Sequence, residues 1–301
     1  MYYLNRCDLC NGVSLATLYS QELPWQEPWS HFIDRTQFPL KPQCKLCLHC
    51  GWIFKTPVYE PNELARLYNL DEPVLSLEAE TLADRNAHYR GSRIYQTLIP
   101  YRDQPGRILD VGGRNGELMM TFLKKGYEVC VLDMDAGQPV DSKIMKIRSP
   151  FMDWTDGRYD VIAMSHVLEH TESPGKFLSH AHSLLAADGL VFIEVPSELF
   201  TCLLKRHVGD HRHLSYFTRA TLRAYLERSG FKCLSCNLLL DVVGSEIPLL
   251  RAVGRKQADA VVSRVPSDWT GLLRSLSDIL HPLPLHSRIR QRFRQGRSMD
   301  L

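Results

Sequence analysis

Ile108-Leu109-Asp110-Val111-Gly112-Gly113-Arg114-Asn115-Gly116 joins a short apolar strand to a helix predicted over 117–125, which Gly126 ends. At such a junction Gly112, Gly113 and Gly116 let the backbone pass close to a ligand, and the helix start supplies free amides. Asp110, within the strand, can orient the loop or bind a ligand's amino group. A second strand over 127–132 runs into Asp133, 23 residues after Asp110. An acid at that place can accept hydrogen bonds from both hydroxyls of a ribose. The loop departs from the full GxGxxG spacing of dinucleotide sites, because Arg114 stands where a further glycine is expected.

Outward from this stretch the pattern alternates apolar runs with amphipathic ones. Strands are predicted over 144–147, 159–164 and 190–195, the last stopped by Pro196. A helix over 176–185 lies between the last two, ended by Ala187-Asp188-Gly189. Strands that alternate with helices imply parallel pairing, hence an α/β fold with a doubly wound, mostly parallel sheet. Four zones follow. Residues 1–58 are rich in Cys, Pro and Trp and show no sustained period. Residues 59–100 read as a helical connector, with an amphipathic turn over 63–68 behind Pro61 and a longer helix over 76–98. Residues 101–256 carry the α/β pattern. Residues 257–301 form a less regular basic tail with Arg288, Arg290, Arg292, Arg294 and Arg297.

Five of the nine cysteines fall in the first 50 residues. Cys7-Asp8-Leu9-Cys10 and Cys47-Leu48-His49-Cys50 are two CxxC knuckles, the usual way to build a four-thiolate zinc cage. Cys44 forms a competing CxxC with Cys47. Gly51 and the apolar Trp52-Ile53-Phe54 directly behind Cys50 favour Cys7, Cys10, Cys47 and Cys50 as ligands of a structural Zn2+. Such a metal suits some 55 residues with a thin core. Cys233-Leu234-Ser235-Cys236 lies in a strand-like run with no second pair nearby and reads as strand cysteines.

The run from Ile108 to Asp133 resembles motifs I and II of class I methyltransferases. Ser165-His166-Val167-Leu168-Glu169-His170 is similar to the loop after their fourth strand, and Leu190 to Pro196 to their fifth. The resemblance implies a seven-stranded Rossmann-like sheet and S-adenosyl-L-methionine as cofactor. It places Ser165 and His166 beside the methionine end and Phe151 near the adenine, by stacking or through its amide, and it makes His170 a packing residue. The two CxxC knuckles, together with His211-Arg212-His213-Leu214-Ser215-Tyr216-Phe217-Thr218, resemble sugar C-methyltransferases of deoxysugar pathways. That likeness implies His213 as the base that takes a proton beside a ketone, with His211 next to it. Imidazoles suit this task. Asp210 and Arg212 depart from that family's pattern, so carbon, oxygen and nitrogen all stay open as the methylated atom. The acceptor is expected to be a nucleotide-linked keto sugar or another small molecule; a cell-envelope glycan or lipid is the alternative.

The composition is that of a globular protein, 44% hydrophobic and 23% charged with a net charge of +2, and gives no strong nucleic-acid signal. The first residues lack an apolar signal core, and no window reaches the roughly 18 apolar residues of a membrane span, so a cytoplasmic enzyme is expected. Two other readings compete: a nicotinamide oxidoreductase on the same fold, and a non-catalytic zinc- and nucleotide-binding interaction protein. The arginine-rich tail is a weak candidate for contact with an anionic membrane or another subunit.

Overall fold

The computed structural model describes residues 2–20, 42–58, 77–135, 137–197, 213–239 and 248–258, with the backbone alone over 77–86. The turn expected at 63–68, His211 and nearly all of the basic tail lie outside the described residues. In chain order the elements are β1 (Leu15–Ser20), β2 (Gln43–Cys47), β3 (Ile53–Thr56), α1 (Leu77–Leu98) and β4 (Arg107–Val111). Then come α2 (Met120–Lys124), β5 (Glu128–Leu132), β6 (Met145–Ile147), β7 (Tyr159–Ser165) and α3 (Pro174–Leu184). The chain continues with β8 (Leu185–Pro196), β9 (Ser215–Tyr216), α4 (Arg219–Arg228), β10 (Phe231–Leu239) and β11 (Leu249–Lys256).

Seven strands form one sheet in the order β10-β11-β8-β7-β4-β5-β6. Pairing is parallel from β8 through to β6, and β11 runs antiparallel to both β8 and β10. The parallel strands are apolar almost throughout, as strands covered on both faces must be. Their side chains divide by the two-residue period of a strand. Leu109, Val111, Ile162, Met164, Val191 and Ile193 enter one core, and Ile108, Val161, Ala163, Leu190 and Phe192 the other. Ile94 and Leu98 of α1 and Phe122 of α2 cover the second face. Leu178 of α3 and Leu222, Tyr225 and Leu226 of α4 cover the first.

The N-terminal residues build an antiparallel sheet, β1-β2-β3-β9, although the sequence there shows no period. Its last strand is supplied from far along the chain: Ile53 and Phe54 pair with Tyr216 and Ser215. Cys7, Leu9, Cys47, Cys50, Trp52 and Phe54 share the first core of the seven-stranded sheet. Trp52 stacks on Phe54 at 4.5 Å and meets the edge of Tyr225. A cluster too small for its own core is thus buried against a larger one.

Two local expectations change. The helix before β8 ends at Leu184, and Leu185 at once pairs with Tyr159. Ala187-Asp188-Gly189 is therefore an irregularity inside the strand, with Asp188 at φ 58, after which pairing resumes between Leu190 and Val161. Cys233 and Cys236 do lie in a strand, on either side of a register shift in β10. No described helix is long and apolar enough to cross a membrane.

Candidate functional site

The strand order reverses between β4 and β7, and in parallel sheets ligands bind at the C-terminal ends of strands beside such a reversal. Here β4 ends in the glycine loop. Gly112 (φ 68) donates its amide to Leu132 O at 2.8 Å, which ties the loop to the end of β5. Gly116 (φ 85) is buried, and a Cβ there would fall 2.9 Å from Ile144 Cδ1. A Cβ at Gly113 would fall 2.2 Å from Asp110 Oδ2, so the loop folds directly over that carboxylate. Arg114 takes the left-handed conformation itself, at φ 51, which costs a non-glycine residue about 1–2 kcal/mol. Its amide donates to Asp133 Oδ2 at 2.8 Å, and the Asp135 amide donates to Asp133 Oδ1 at 2.8 Å. Asp133 is thereby fixed at the end of β5, and each oxygen retains a second lone pair.

Asp110 is 1% exposed, and its Oδ2 has no hydrogen-bond partner among the described residues. Burial, with the Asp133 charge beside it, pushes its pKa up to about 7, while Arg90 pulls it partly back. A buried carboxylate with an unsatisfied oxygen is costly unless a cation or donor arrives.

At the ends of β7 and β8, Ser165 is buried and donates its hydroxyl to Glu194 Oε1 at 3.1 Å. Arg90 Nη2 donates to Ser165 Oγ and to Glu194 Oε1, both at 2.8 Å. The other oxygen of Glu194 accepts Arg251 Nε at 2.9 Å and also Arg251 Nη2. Burial pushes the Glu194 carboxyl upward, but Arg251 and Arg90 outweigh that and hold it below the ordinary value. His166 sits at φ 57 with its amide on Glu194 O at 2.8 Å, and its ring Nδ1 lies 3.2 Å from Glu169 Oε1. The structure brings Asp110, Asp133, Ser165 and His166 to one end of the sheet. The ring of Phe151 turns into the core against Phe177 and His180, so it is not placed to stack on a ligand.

His213 is brought to the turn that follows β7. The Leu214 amide donates to Glu169 O at 2.7 Å, and Leu214 O accepts the Lys55 amide at 2.8 Å. His213 is buried, with its ring 4.8 Å from that of His170 at 67°. Donor atoms of Glu169, His170 and His213 all lie within 4.8 Å of one another, and Glu169 Oε2 is buried without a partner among the described residues. His170 thus belongs to this polar group. Glu169 and Arg90 are not singled out by the sequence; the only local signal for Glu169 is an acid set between two histidines, His166 and His170, in the turn after β7.

Cys7, Cys10, Cys47 and Cys50 converge, with one ligand atom from each within 4.8 Å of the others. Two of the sulfur pairs, Cys7–Cys50 and Cys10–Cys47, are 3.4 Å apart. Around a zinc ion, with Zn–S near 2.3 Å, tetrahedral geometry puts sulfurs about 3.8 Å apart, so the donor set fits. The two knuckles match in backbone: the Asn11 amide donates to Cys7 O at 2.8 Å and the Gly51 amide to Cys47 O at 2.9 Å. Asn11 (φ 59) and Gly51 (φ 76) both adopt the left-handed turn directly after the second cysteine. Hydrogen bonding to Cys10 and the other sulfurs pushes the thiols of Cys7 and Cys50 up and that of Cys47 down. Cys44 lies apart, packed with Leu46, Ile53 and Tyr216.

No curated protein matches the chain. Among solved structures it is similar to 1,6-didemethyltoxoflavin-N1-methyltransferase of Burkholderia thailandensis, solved with 1,6-didemethyltoxoflavin and S-adenosylhomocysteine. The identity is 18%, with 72% of this chain and 100% of that one covered, at a TM-score of 0.51. Magnesium protoporphyrin IX methyltransferase of Synechocystis PCC 6803, with S-adenosylhomocysteine bound, shares 14% identity over 65% of this chain and 95% of that one, at a TM-score of 0.47. The sequence profile of the methyltransferase domain family matches residues 83–236, just over half of the chain. That span runs from within α1 into β10 and takes in the strand-order reversal and both acidic strand ends; the chain belongs to the methyltransferase domain family and is a class I, S-adenosylmethionine-dependent methyltransferase.

Proposed function

We propose that this methyltransferase acts on a small-molecule acceptor, with the cofactor over β4 and β5 and the acceptor beside the turn after β7. One observation carries the reading: the buried, unsatisfied Asp110 and the Glu169–His170–His213 group stand at the C-terminal ends of the adjacent strands β4 and β7. When bound, S-adenosylmethionine supplies an electrophilic methyl on sulfonium sulfur. Asp110 faces its ammonium group, and Asp133 accepts from the ribose hydroxyls with its remaining lone pairs. Gly112, Gly113 and Gly116 keep the loop low enough for close approach, and Ser165 and His166 line the methionine end. Phe151 contributes through its backbone near the adenine. The similar Burkholderia enzyme was solved with 1,6-didemethyltoxoflavin bound, in keeping with a small-molecule acceptor. A nucleotide-linked keto sugar methylated at carbon is the finer reading, with a cytoplasmic setting. Residues 1–58, 59–100, 101–256 and 257–301 then serve as zinc module, connector, catalytic domain and tail.

His213 is the acceptor's proton-accepting group in this reading. A carbon beside a ketone must give up its proton before it can take the methyl, and an oxygen or nitrogen acceptor gives its proton up with or after transfer; in either case a buried imidazole beside a carboxylate can take the proton and be stabilised as imidazolium. A second reading has one observation in its favour, the shared 4.8 Å radius of Glu169, His170 and His213: the three hold a divalent cation to which an acceptor oxygen binds. Its mark is turnover that falls on chelation and returns with a divalent cation while the zinc content stays constant.

The zinc cage closes the N-terminal module and does no chemistry, since four thiolates saturate the metal. One zinc per chain is expected in protein purified without chelator. Cys10→Ser should lose the metal and lower thermal stability, while Cys44→Ser should keep the metal. Elemental analysis that finds no zinc in the wild-type chain would overturn the assignment.

Asp110 gives the pH dependence of cofactor binding. Its pKa is raised to about 7 in the free protein, so below that pH it holds a proton that must leave before the ammonium can pair. Cofactor affinity should therefore weaken as pH falls from 8 to 5.5, approaching about tenfold per unit on the acid side. Asp110→Asn should bind weakly at every pH. Calorimetry with a flat wild-type profile would contradict this.

Labelled S-adenosylmethionine, presented with a panel of nucleotide sugars and small heterocycles, tests the transfer itself. With any acceptor found, His213→Ala should leave cofactor affinity unchanged and lower turnover by about 10²–10⁴-fold. Full turnover in that variant would reduce His213 to a packing residue.

A further inference from the structure

Helix α3 is not capped by the residue that precedes it. Ser173 flanks its start and Pro174 opens it, a position at which a serine hydroxyl usually accepts a free helix amide. The Ser173 side chain accepts none. Its hydroxyl donates instead to Asp8 Oδ1 at 2.5 Å, and Asp8 Oδ2 accepts the Gly175 amide at 2.9 Å. Asp8 lies 165 residues before Ser173, between the two cysteines of the first knuckle. A Cβ at Gly175 would fall 3.1 Å from Asp8 Oδ2, so the glycine lets the carboxylate close on the helix start. A negative charge at that end also suits the helix dipole.

The turn that Asp8 grips carries Glu169 and His170. It leaves β7 at Ser165 and enters α3 at Ser173. In its middle the Leu214 amide donates to Glu169 O at 2.7 Å, and the Ser215 hydroxyl donates to Thr171 O at 3.0 Å. Leu214 and Ser215 are held in turn by β3, through the Lys55 amide on Leu214 O and the pairing of Phe54 with Ser215. That strand follows directly on the second knuckle. The two knuckles therefore hold one turn, the first at its α3 end through Asp8 and the second in its middle through β3 and β9. The cofactor side has a different anchor: Gly112 donates to Leu132 O at the end of β5, and Arg114 donates to Asp133.

We propose that Asp8 is a positioning residue for the acceptor side. With the four-sulfur cage as its fixed point, it sets where Glu169 and His170 stand against His213. The inference rests on the reading of the turn after β7 as the acceptor side. A four-thiolate metal has its full ligand set, so an aspartate inside the knuckle adds nothing to coordination. Its carboxylate is used on α3. His170 and Ser173 are near neighbours along the chain, so a loosened α3 start displaces His170 directly.

The full chain as purified, compared with Asp8→Ala, Asp8→Asn and Ser173→Ala, gives the test. Four quantities are read: zinc content, affinity for S-adenosylmethionine by calorimetry, amide exchange over residues 168–176, and the imidazole carbon–proton signals of His170 and His213. Asp8→Ala should keep its zinc and its cofactor affinity. Its amides over 168–176 should exchange at least about tenfold faster, the effect of losing a hydrogen bond to a charged group. Both imidazole signals should move. Asp8→Asn should recover most of the wild-type behaviour, because its side chain can accept from Gly175 and donate to the Ser173 hydroxyl. Ser173→Ala, which removes one of the two bonds, should shift the signals in the same direction and less far. Wild-type exchange and wild-type imidazole signals in Asp8→Ala would overturn the inference and leave the role of His213 standing. Loss of zinc from Asp8→Ala would overturn it as well, since Asp8 would then serve the cage. Full turnover in His213→Ala would remove the acceptor reading, and this inference with it.

Discussion

The meeting of Cys7, Cys10, Cys47 and Cys50 is the constraint on which the other contacts of the N-terminal region depend. Four sulfurs so close cannot all be thiolates without a cation, and the proposed zinc would satisfy them together. Bringing the two knuckles together sets the position of everything attached to them. Asp8, inside the first knuckle, accepts the Gly175 amide at 2.9 Å and the Ser173 hydroxyl at 2.5 Å, and so caps the start of α3. Trp52, just past the second knuckle, packs on Tyr225 of α4. The strand that follows pairs with β9, and the Lys55–Leu214–Glu169 amide ladder then seats His213 against His170. The N-terminal region in this way helps to shape the side of the site proposed for the acceptor.

The other side of the pocket is governed by charge. Asp110 and Glu194 are both buried acids at strand ends, yet their surroundings drive them in opposite directions. Glu194 has two guanidiniums and stays ionised, so it works as a structural anchor. Asp110 has an orphaned oxygen and a like-charged neighbour in Asp133, so its ionised form awaits a ligand. One acid is satisfied by the protein and the other, in the proposed reading, by what the protein binds.

The sheet was legible because its signals are local: apolar strands, a glycine loop, and an acid at the next strand end. Positions with local backbone demands were partly legible. Gly51 is legible as a turn residue, whereas Asn11 fills the same left-handed role and Arg114 adopts a glycine-like φ without the residue type that marks such positions. What sequence reading could not reach is pairing across long separations. The Arg90–Glu194 bond spans 104 residues and the Arg251–Glu194 bond 57, and no spacing rule joins them. The two-residue β9 is too short to carry a period, so the union of the N-terminal strands with the site was invisible. Phe151 shows the converse limit, since nothing in its neighbourhood reveals that its ring packs on α3.

A crystal structure of the full chain with S-adenosylhomocysteine tests the account most directly, because it locates three groups of the ligand at once. The account predicts the ribose hydroxyls on Asp133, the amino group on Asp110, and the sulfur on the side of His213. A ligand bound elsewhere, or one whose amino-acid end points away from Asp110, would contradict it.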